Sequence, residues 1–294
     1  MSYSVYNSGR YKPKRRRSAK KVVVIVAAIL LVAGLAGWFF LRDDEKPAAQ
    51  EQAVSEQKTE VAPGTNTQPQ LPNLQPVVDE FIANHPGDYA IKITDLSGTS
   101  LAEVNSDKSD DMASLYKLLV AYIGYQQIDD GTYNLSDPYL NGYTRGECLD
   151  AMIRDSNSPC GEKMMAEIGG STLNQKAKQY GLTNTNYGGL TTTPNDMAIL
   201  IAHIENGKDL SAESRKSYLD SMKTQDALYR RGLPSGFTSS TVYNKVGWRG
   251  VSEWHDVAIV ELKNGQKVVV VAMTQNAGYK NVATLGAELE KALQ

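Results

Sequence analysis

Chemistry is expected first from two side chains one helical turn apart. Ser114 and Lys117 stand in Asp111-Met112-Ala113-Ser114-Leu115-Tyr116-Lys117, ahead of an apolar run that continues through Ile123 and Tyr125. A helix that is apolar nearly all round belongs inside a domain. The i, i+3 spacing puts serine and lysine on one face, within reach of each other. Burial disfavours a charged lysine and lowers its pKa. Such a lysine can take the proton of a serine hydroxyl, which is otherwise a poor nucleophile. The pair therefore predicts nucleophilic catalysis through serine. Ser-x-x-Lys alone occurs by chance roughly once in a chain of this size, so its weight rests on what surrounds it.

Positioning the pair falls to Leu74–Gln294, a length that suits one domain of about 220 residues. Leu74, Val77, Val78, Phe81 and Ile82 have helical spacing, and His85-Pro86-Gly87 ends that helix. Tyr89–Thr94 alternates like a strand, Ser97-Gly98 turns, and Ser100–Val104 returns as the second arm of a hairpin. After the Ser114 helix, residues 145–223 read as helices broken at Asn157-Ser158-Pro159, at Gly169-Gly170 and around Tyr187-Gly188-Gly189. Val242–Val246, Asp256–Leu262 and Lys267–Met273 read as strands, with Asn264-Gly265 as a hairpin turn. Val282–Leu293 reads as a closing helix. Strands at both ends with helices between imply an α+β domain whose sheet joins its first and last segments.

The whole chain has 294 residues, 22% charged and 41% hydrophobic, with net charge −2. That average hides an asymmetry. Residues 1–21 hold eight basic residues and no acid, which leaves 23 basic against 33 acidic in the rest. Val22–Leu41 follows without a charge, with Trp38, Phe39 and Phe40 at its far end. Such a run spans about 30 Å, the thickness of a bilayer core. The expectation is a basic cytoplasmic tail (1–21), a transmembrane helix (22–41) and a disordered linker (42–73) poor in aliphatic residues. The domain at 74–294 then lies outside the cell membrane. A cleaved signal peptide is the alternative; the run is long for one and no small-x-small site follows. The basic arm beside an apolar span points to a lipid bilayer as partner and not to nucleic acid.

Three further stretches line up with Ser114 and Lys117: Ser156-Asn157-Ser158, Thr191-Thr192-Thr193-Pro194 and Lys245-Val246-Gly247. In order and spacing they resemble the serine β-lactamases and penicillin-binding proteins, most closely a class A β-lactamase domain, across residues 89–294. The resemblance implies roles. Ser114 is the acylated nucleophile and Lys117 its base partner. Ser156 bridges the two lysines and hands a proton to the leaving nitrogen, and Lys245 shapes the field and attracts the substrate carboxylate. The backbone N–H groups of Ser114 and Trp248 form the oxyanion hole. Ser158, Gly247 and Arg249 line the substrate. The implied substrates are β-lactams or the D-Ala-D-Ala ends of peptidoglycan peptides, with β-lactamase and DD-peptidase both open. No cofactor is implied.

The chain departs from the family pattern in three places. Ser158 replaces an asparagine. Val246 replaces a threonine or serine and offers no hydroxyl to a substrate carboxylate. Arg249 could supply that contact, or could be a solvated turn residue. Ser171–Leu190, where class A enzymes carry the deacylating glutamate, holds no Asp or Glu, so deacylation is expected to be slow. Rapid turnover would require Asp196, Glu162 or another carboxylate to reach the site from outside this loop. Cys148 and Cys160, the only cysteines, are expected to form a disulfide worth about 3 kcal/mol; two buried thiols are the alternative. His255-Asp256 is read as structural. His85, His203 and His255 are scattered and no cluster has metal-ligand spacing. Tyr116 and Tyr143 are candidates to line the cleft. The competing class is a non-catalytic wall-binding or scaffold module that kept the fold.

Overall fold

The run Val268–Met273 is apolar at every position, and such a strand is buried on both faces only in the middle of a sheet. That is where it lies in the computed structural model, which describes residues 70–250 and 253–294. In chain order the elements are α1 (Gln75–Asn84), β1 (Asp88–Asp95), β2 (Ser100–Val104), β3 (Asp110–Asp111), a 3₁₀ turn (Ala113–Tyr116) and α2 (Lys117–Asp129). Then come β4 (Pro138–Leu140), β5 (Tyr143–Thr144), α3 (Arg145–Arg154), α4 (Ser158–Ile168), α5 (Gly170–Gln179) and β6 (Thr191–Thr192). They are followed by α6 (Pro194–Asn206), α7 (Ala212–Lys223), a second 3₁₀ turn (Ala227–Arg230) and α8 (Leu233–Gly236). β7 (Thr241–Arg249), β8 (Glu253–Glu261), β9 (Lys267–Gln275) and α9 (Gly278–Leu293) close the chain.

The main sheet runs β2-β1-β9-β8-β7, and its strand pairs are antiparallel. The expected union of first and last segments is therefore present, through the β1–β9 pair. Alternation divides the strands between two cores. Val257, Ile259, Val269 and Val271 pack with the α2, α3, α4, α6 and α7 side. Ala258, Val260, Val268, Val270 and Ala272 pack with α1, α8 and α9. β7 lies at the sheet edge. The C-terminal strands outrun their apolar stretches because pairing continues past them: Trp248 still faces Trp254, and Arg249 faces Glu253. The breaks in the helical region have local causes. Thr144 and Glu147 form a capping box at α3, Asn157 caps α4, and Gly169 at φ 84° separates α4 from α5.

The α+β class stands, and the membrane anchor is corrected. Among the described residues no helix is long and apolar enough to cross a membrane. The thirteen residues of α2 span about 20 Å, short of the roughly 30 Å of a bilayer core. The sixteen of α9 include Lys280, Glu288, Glu290 and Lys291. The stretch Val22–Leu41 that carried the expectation lies outside the described residues, as do the basic tail and the linker up to residue 69. The single-pass topology, the bilayer partner, the cell-membrane localisation and the anchored form of the function are withdrawn with it.

Candidate active site

The Ser114 turn is held from both sides. Asp111 Oδ1 accepts the Ala113 N–H at 2.6 Å, and Leu190 O accepts the Met112 N–H at 2.7 Å. Between these bonds Ala113 sits at φ 43°, a left-handed conformation that costs a residue with a Cβ about 1–2 kcal/mol. Gly247 of β7 comes against the same turn. A Cβ there would lie 2.7 Å from Met112 O and 3.3 Å from Ala113 Cβ, so only glycine lets the strand approach so closely. The side chain of Ser114 is half-buried at the meeting of these pieces.

Lys117, one turn on, is fully buried. Its ammonium donates to Ser114 Oγ at 2.9 Å, Ser156 O at 2.8 Å and Ser158 Oγ at 3.2 Å, with Ser156 Oγ at 3.4 Å. Room for it comes from Gly161 on α4, where a Cβ would stand 2.9 Å from Lys117 Cε and from the Tyr116 hydroxyl. Ser156 lies between α3 and α4 at φ 51°, which turns its carbonyl and hydroxyl toward the lysine. Lys245, also fully buried, reaches Ser156 Oγ from the opposite side at 3.0 Å and its own neighbour, Val246 O, at 2.7 Å. One hydroxyl thus receives N–H groups from two lysines. Burial pulls the Lys117 pKa down to about 8, against the pull of the Glu162 charge. Burial, and then the charge of Lys117, hold Lys245 well below the usual lysine range, with Asp256 acting the other way.

The structure therefore brings Ser114, Lys117, Ser156, Ser158 and Lys245 together. The other expected residues have surroundings of their own. Arg249 forms an ion pair with Asp111 at 3.0 Å, and Val246 is buried in the core behind the sheet. Trp248 follows Gly247 on the edge strand and is 40% exposed. Asp196 is buried and accepts from Asn184 N at 2.8 Å and Thr185 Oγ1 at 2.7 Å; it ties down the 184–192 segment. Glu162 is exposed on α4 and acts on Lys117 through its charge. Tyr116 is buried and Tyr143 exposed. Cys148 and Cys160 are bonded, so the chain between them carries Ser156. His255 is buried, its Nδ1 accepting Thr274 N–H at 3.1 Å, in keeping with a structural part. Among the described residues no group of His, Cys, Asp or Glu has a metal-binding arrangement.

Sequence reasoning missed the support behind Lys245. Asn244 donates to Asp256 Oδ1 at 2.9 Å and to Tyr229 O at 3.1 Å, and Leu233 N–H meets Asp256 Oδ2 at 2.9 Å. Burial pushes the Asp256 pKa up to about 7. A signal existed: Asn244 alternates with Val242 and Val246, which marks it as a polar residue on a buried face. Gly161, Tyr229 and Arg230 carried no such sign.

The sequence pattern of the beta-lactamase enzyme family matches residues 73–293. No curated protein matches. Among solved structures, PBP-A is 24% identical with a TM-score of 0.66, covering 76% of this chain and 98% of its own. A PBP-A variant is known as an acyl-enzyme complex with penicillin G. The putative class A β-lactamase PenP from Rhodopseudomonas palustris is 21% identical, TM-score 0.66, covering 74% and 99%. An ancestral class A β-lactamase, GNCA, is 19% identical, TM-score 0.68, covering 74% and 99%. At these identities the structural likeness carries the fold and stops short of class A membership. Taken with the sequence match over nearly the whole described domain, it leaves one assignment: this chain belongs to the beta-lactamase enzyme family.

Proposed function

We propose that the domain is a serine hydrolase of the class A type that opens amide bonds through an ester on Ser114. The observation that carries the reading is the 2.9 Å contact between Ser114 Oγ and a buried lysine whose pKa is lowered to about 8. A lysine in that range is partly neutral near neutral pH and accepts the hydroxyl proton as Oγ bonds to the substrate carbonyl carbon. The backbone N–H groups of Ser114 and Trp248 receive the oxyanion. The carbon–nitrogen bond then breaks, and the proton passes by way of Ser156 to the departing nitrogen. Lys245, 3.0 Å from Ser156 Oγ, favours the developing negative charge. Water finally cleaves the ester and returns the proton to Ser114.

The last step is expected to be slow. Ser171–Leu190 contains no carboxylate, and Asp196 is engaged with Asn184 and Thr185. Loss of a general base costs roughly 10²–10⁴-fold. The PBP-A variant's penicilloyl complex supports β-lactam amides as probes of this site. A scaffold reading has no account of two lysines buried around neutral groups, since uncompensated burial of charge destabilises a fold. Intact mass after mixing with benzylpenicillin is expected to show a long-lived adduct on the Ser114 peptide, absent in Ser114→Ala. Equal labelling of both proteins would remove the reading.

A further inference from the structure

We propose that the cleft selects acyl donors with no negative charge beside the scissile bond, and that Trp248 and Tyr229 offer an aromatic surface to a neutral, flat group there. The proposal rests on the serine-hydrolase reading above and names its substrate class.

Binding an anion needs donors free to meet it. Among the described residues, the cations that border the cleft already hold partners. Lys117 donates to Ser114, Ser156 and Ser158, and Lys245 to Ser156 and Val246 O. Arg249 is paired with Asp111. Arg230 is turned into the main chain, with Nη1 on Lys223 O at 2.7 Å and both Nη atoms on Val242 O at 3.3 Å. Arg231 lies over the Tyr279 ring at 3.9 Å. Val246 is buried and adds no hydroxyl.

Nearby charge works in the same direction. Asp111 bonds the backbone of the residue before Ser114. Gln275 Nε2 stands 3.4 Å from both Asp110 Oδ1 and Glu253 Oε2, so three carboxylates gather at this end of β7 with Arg249 as their cationic partner. The crowding is felt at Glu253, whose pKa is raised by burial first and then by Asp111 and Asp110. An incoming carboxylate is repelled by this group.

An aromatic face borders the same place. Tyr229's ring is 5.6 Å from Lys245 Nζ, and its hydroxyl faces the indole N–H of Trp248. Trp248 is exposed and backed by Trp254 at 6.3 Å and, beyond it, Tyr279 at 5.5 Å. A braced indole of this kind gives contact area to apolar, planar groups at little entropic cost.

The test uses the full chain with benzylpenicillin and its methyl ester, which share one reactive ring and differ in the carboxylate. Acylation of Ser114 is followed by intact mass at low ionic strength. The ester is expected to react roughly tenfold faster. A free acid that reacts as fast or faster overturns the inference and leaves the serine-hydrolase reading standing, because Ser114 is still acylated. No adduct from either compound removes both. Two variants assign the cause. Asp111→Asn keeps an oxygen for the Ala113 N–H but frees Arg249, and is expected to narrow the ester-to-acid ratio. Trp248→Ala, which keeps its backbone N–H, is expected to slow the ester several-fold more than the acid. A ratio that stays put in either variant overturns the part given to that residue.

Discussion

Two sites bury lysine or arginine charge against the same sheet, and they treat it in opposite ways. At one, Glu205, only 5% exposed, receives Arg215 Nη2 at 2.7 Å and Lys267 Nζ at 2.7 Å. Each cation there meets a carboxylate. At the other, Lys117 and Lys245 meet hydroxyls and carbonyls, and the carboxylates that act on them, Glu162 and Asp256, act through charge without a hydrogen bond. The first arrangement brings both cations to Glu205 Oε1, leaving Oε2 buried without a hydrogen-bond partner, and ties α6, α7 and β9 together. The second leaves its ammonium groups ready to lose a proton. Cations paired with a carboxylate tie elements together, and lysines buried without one have their pKa lowered.

Replacing members of each site should separate the two behaviours. The largest effect is expected from Lys117→Met, which should slow Ser114 acylation by roughly 10²–10⁴-fold while raising stability by about 1 kcal/mol, since an uncompensated charge leaves the interior. Stopped-flow or mass-resolved acylation and denaturant unfolding measure both; a variant that is slower and also less stable would make Lys117 a structural ion like Lys267. Glu205→Gln should do the reverse. It strands Arg215 and Lys267, and the partial exposure of Arg215 limits the cost to about 2 kcal/mol. Its acylation rate constant under native conditions should match wild type, and a fall of more than tenfold would deny the separation.

The smallest effect is in pH. Lys117 has a folded pKa of about 8 against about 10.4 for an unfolded lysine. Between those values the unfolded chain binds more protons, so this group makes stability rise with pH, by roughly 1 kcal/mol per unit at most. The difference between wild type and Lys117→Met should carry that slope above pH 8 and be flat below it. Acylation should likewise climb with pH toward about 8 as the amine becomes free. A difference that falls with pH would mean that Lys117 is not depressed in the fold.

What the sequence disclosed depended on the range of the interaction. The Ser114 helix, the β1–β2 hairpin and the break at Asn157 are local patterns, and periodicity with turn chemistry reveals them. Ser156 and Lys245 are distant from Ser114 in the chain but stand in ordered short motifs, so their meeting could be anticipated. Arg249 could not be placed, because its partner Asp111 lies on the far side of the helical region and no pattern links them. Glu205 on α6 looks like one more surface acid until Lys267 arrives from β9. Gly161 shows nothing in sequence of the lysine that fills the space beside it. Val22–Leu41 shows the opposite failing: composition alone supported an anchor, and no described helix of the protein bears it out.

The two bonds at the Ser114 turn bear on partial opening. β3 and β6 pair over only two positions, Asp110 with Thr192 and Asp111 with Thr191, and Met112 N–H is tied to Leu190. So short a ladder is the kind of element that opens long before a five-stranded sheet does. When it opens, Ala113 is released from its left-handed conformation and relaxes to an ordinary one, carrying Ser114 with it. Loss of the Ser114 geometry and global unfolding are therefore expected to be separate events in this protein. The amide of Met112 should exchange with solvent far sooner than those of β9, and its exchange rate clocks how often the Ser114 turn is out of place in an otherwise native molecule.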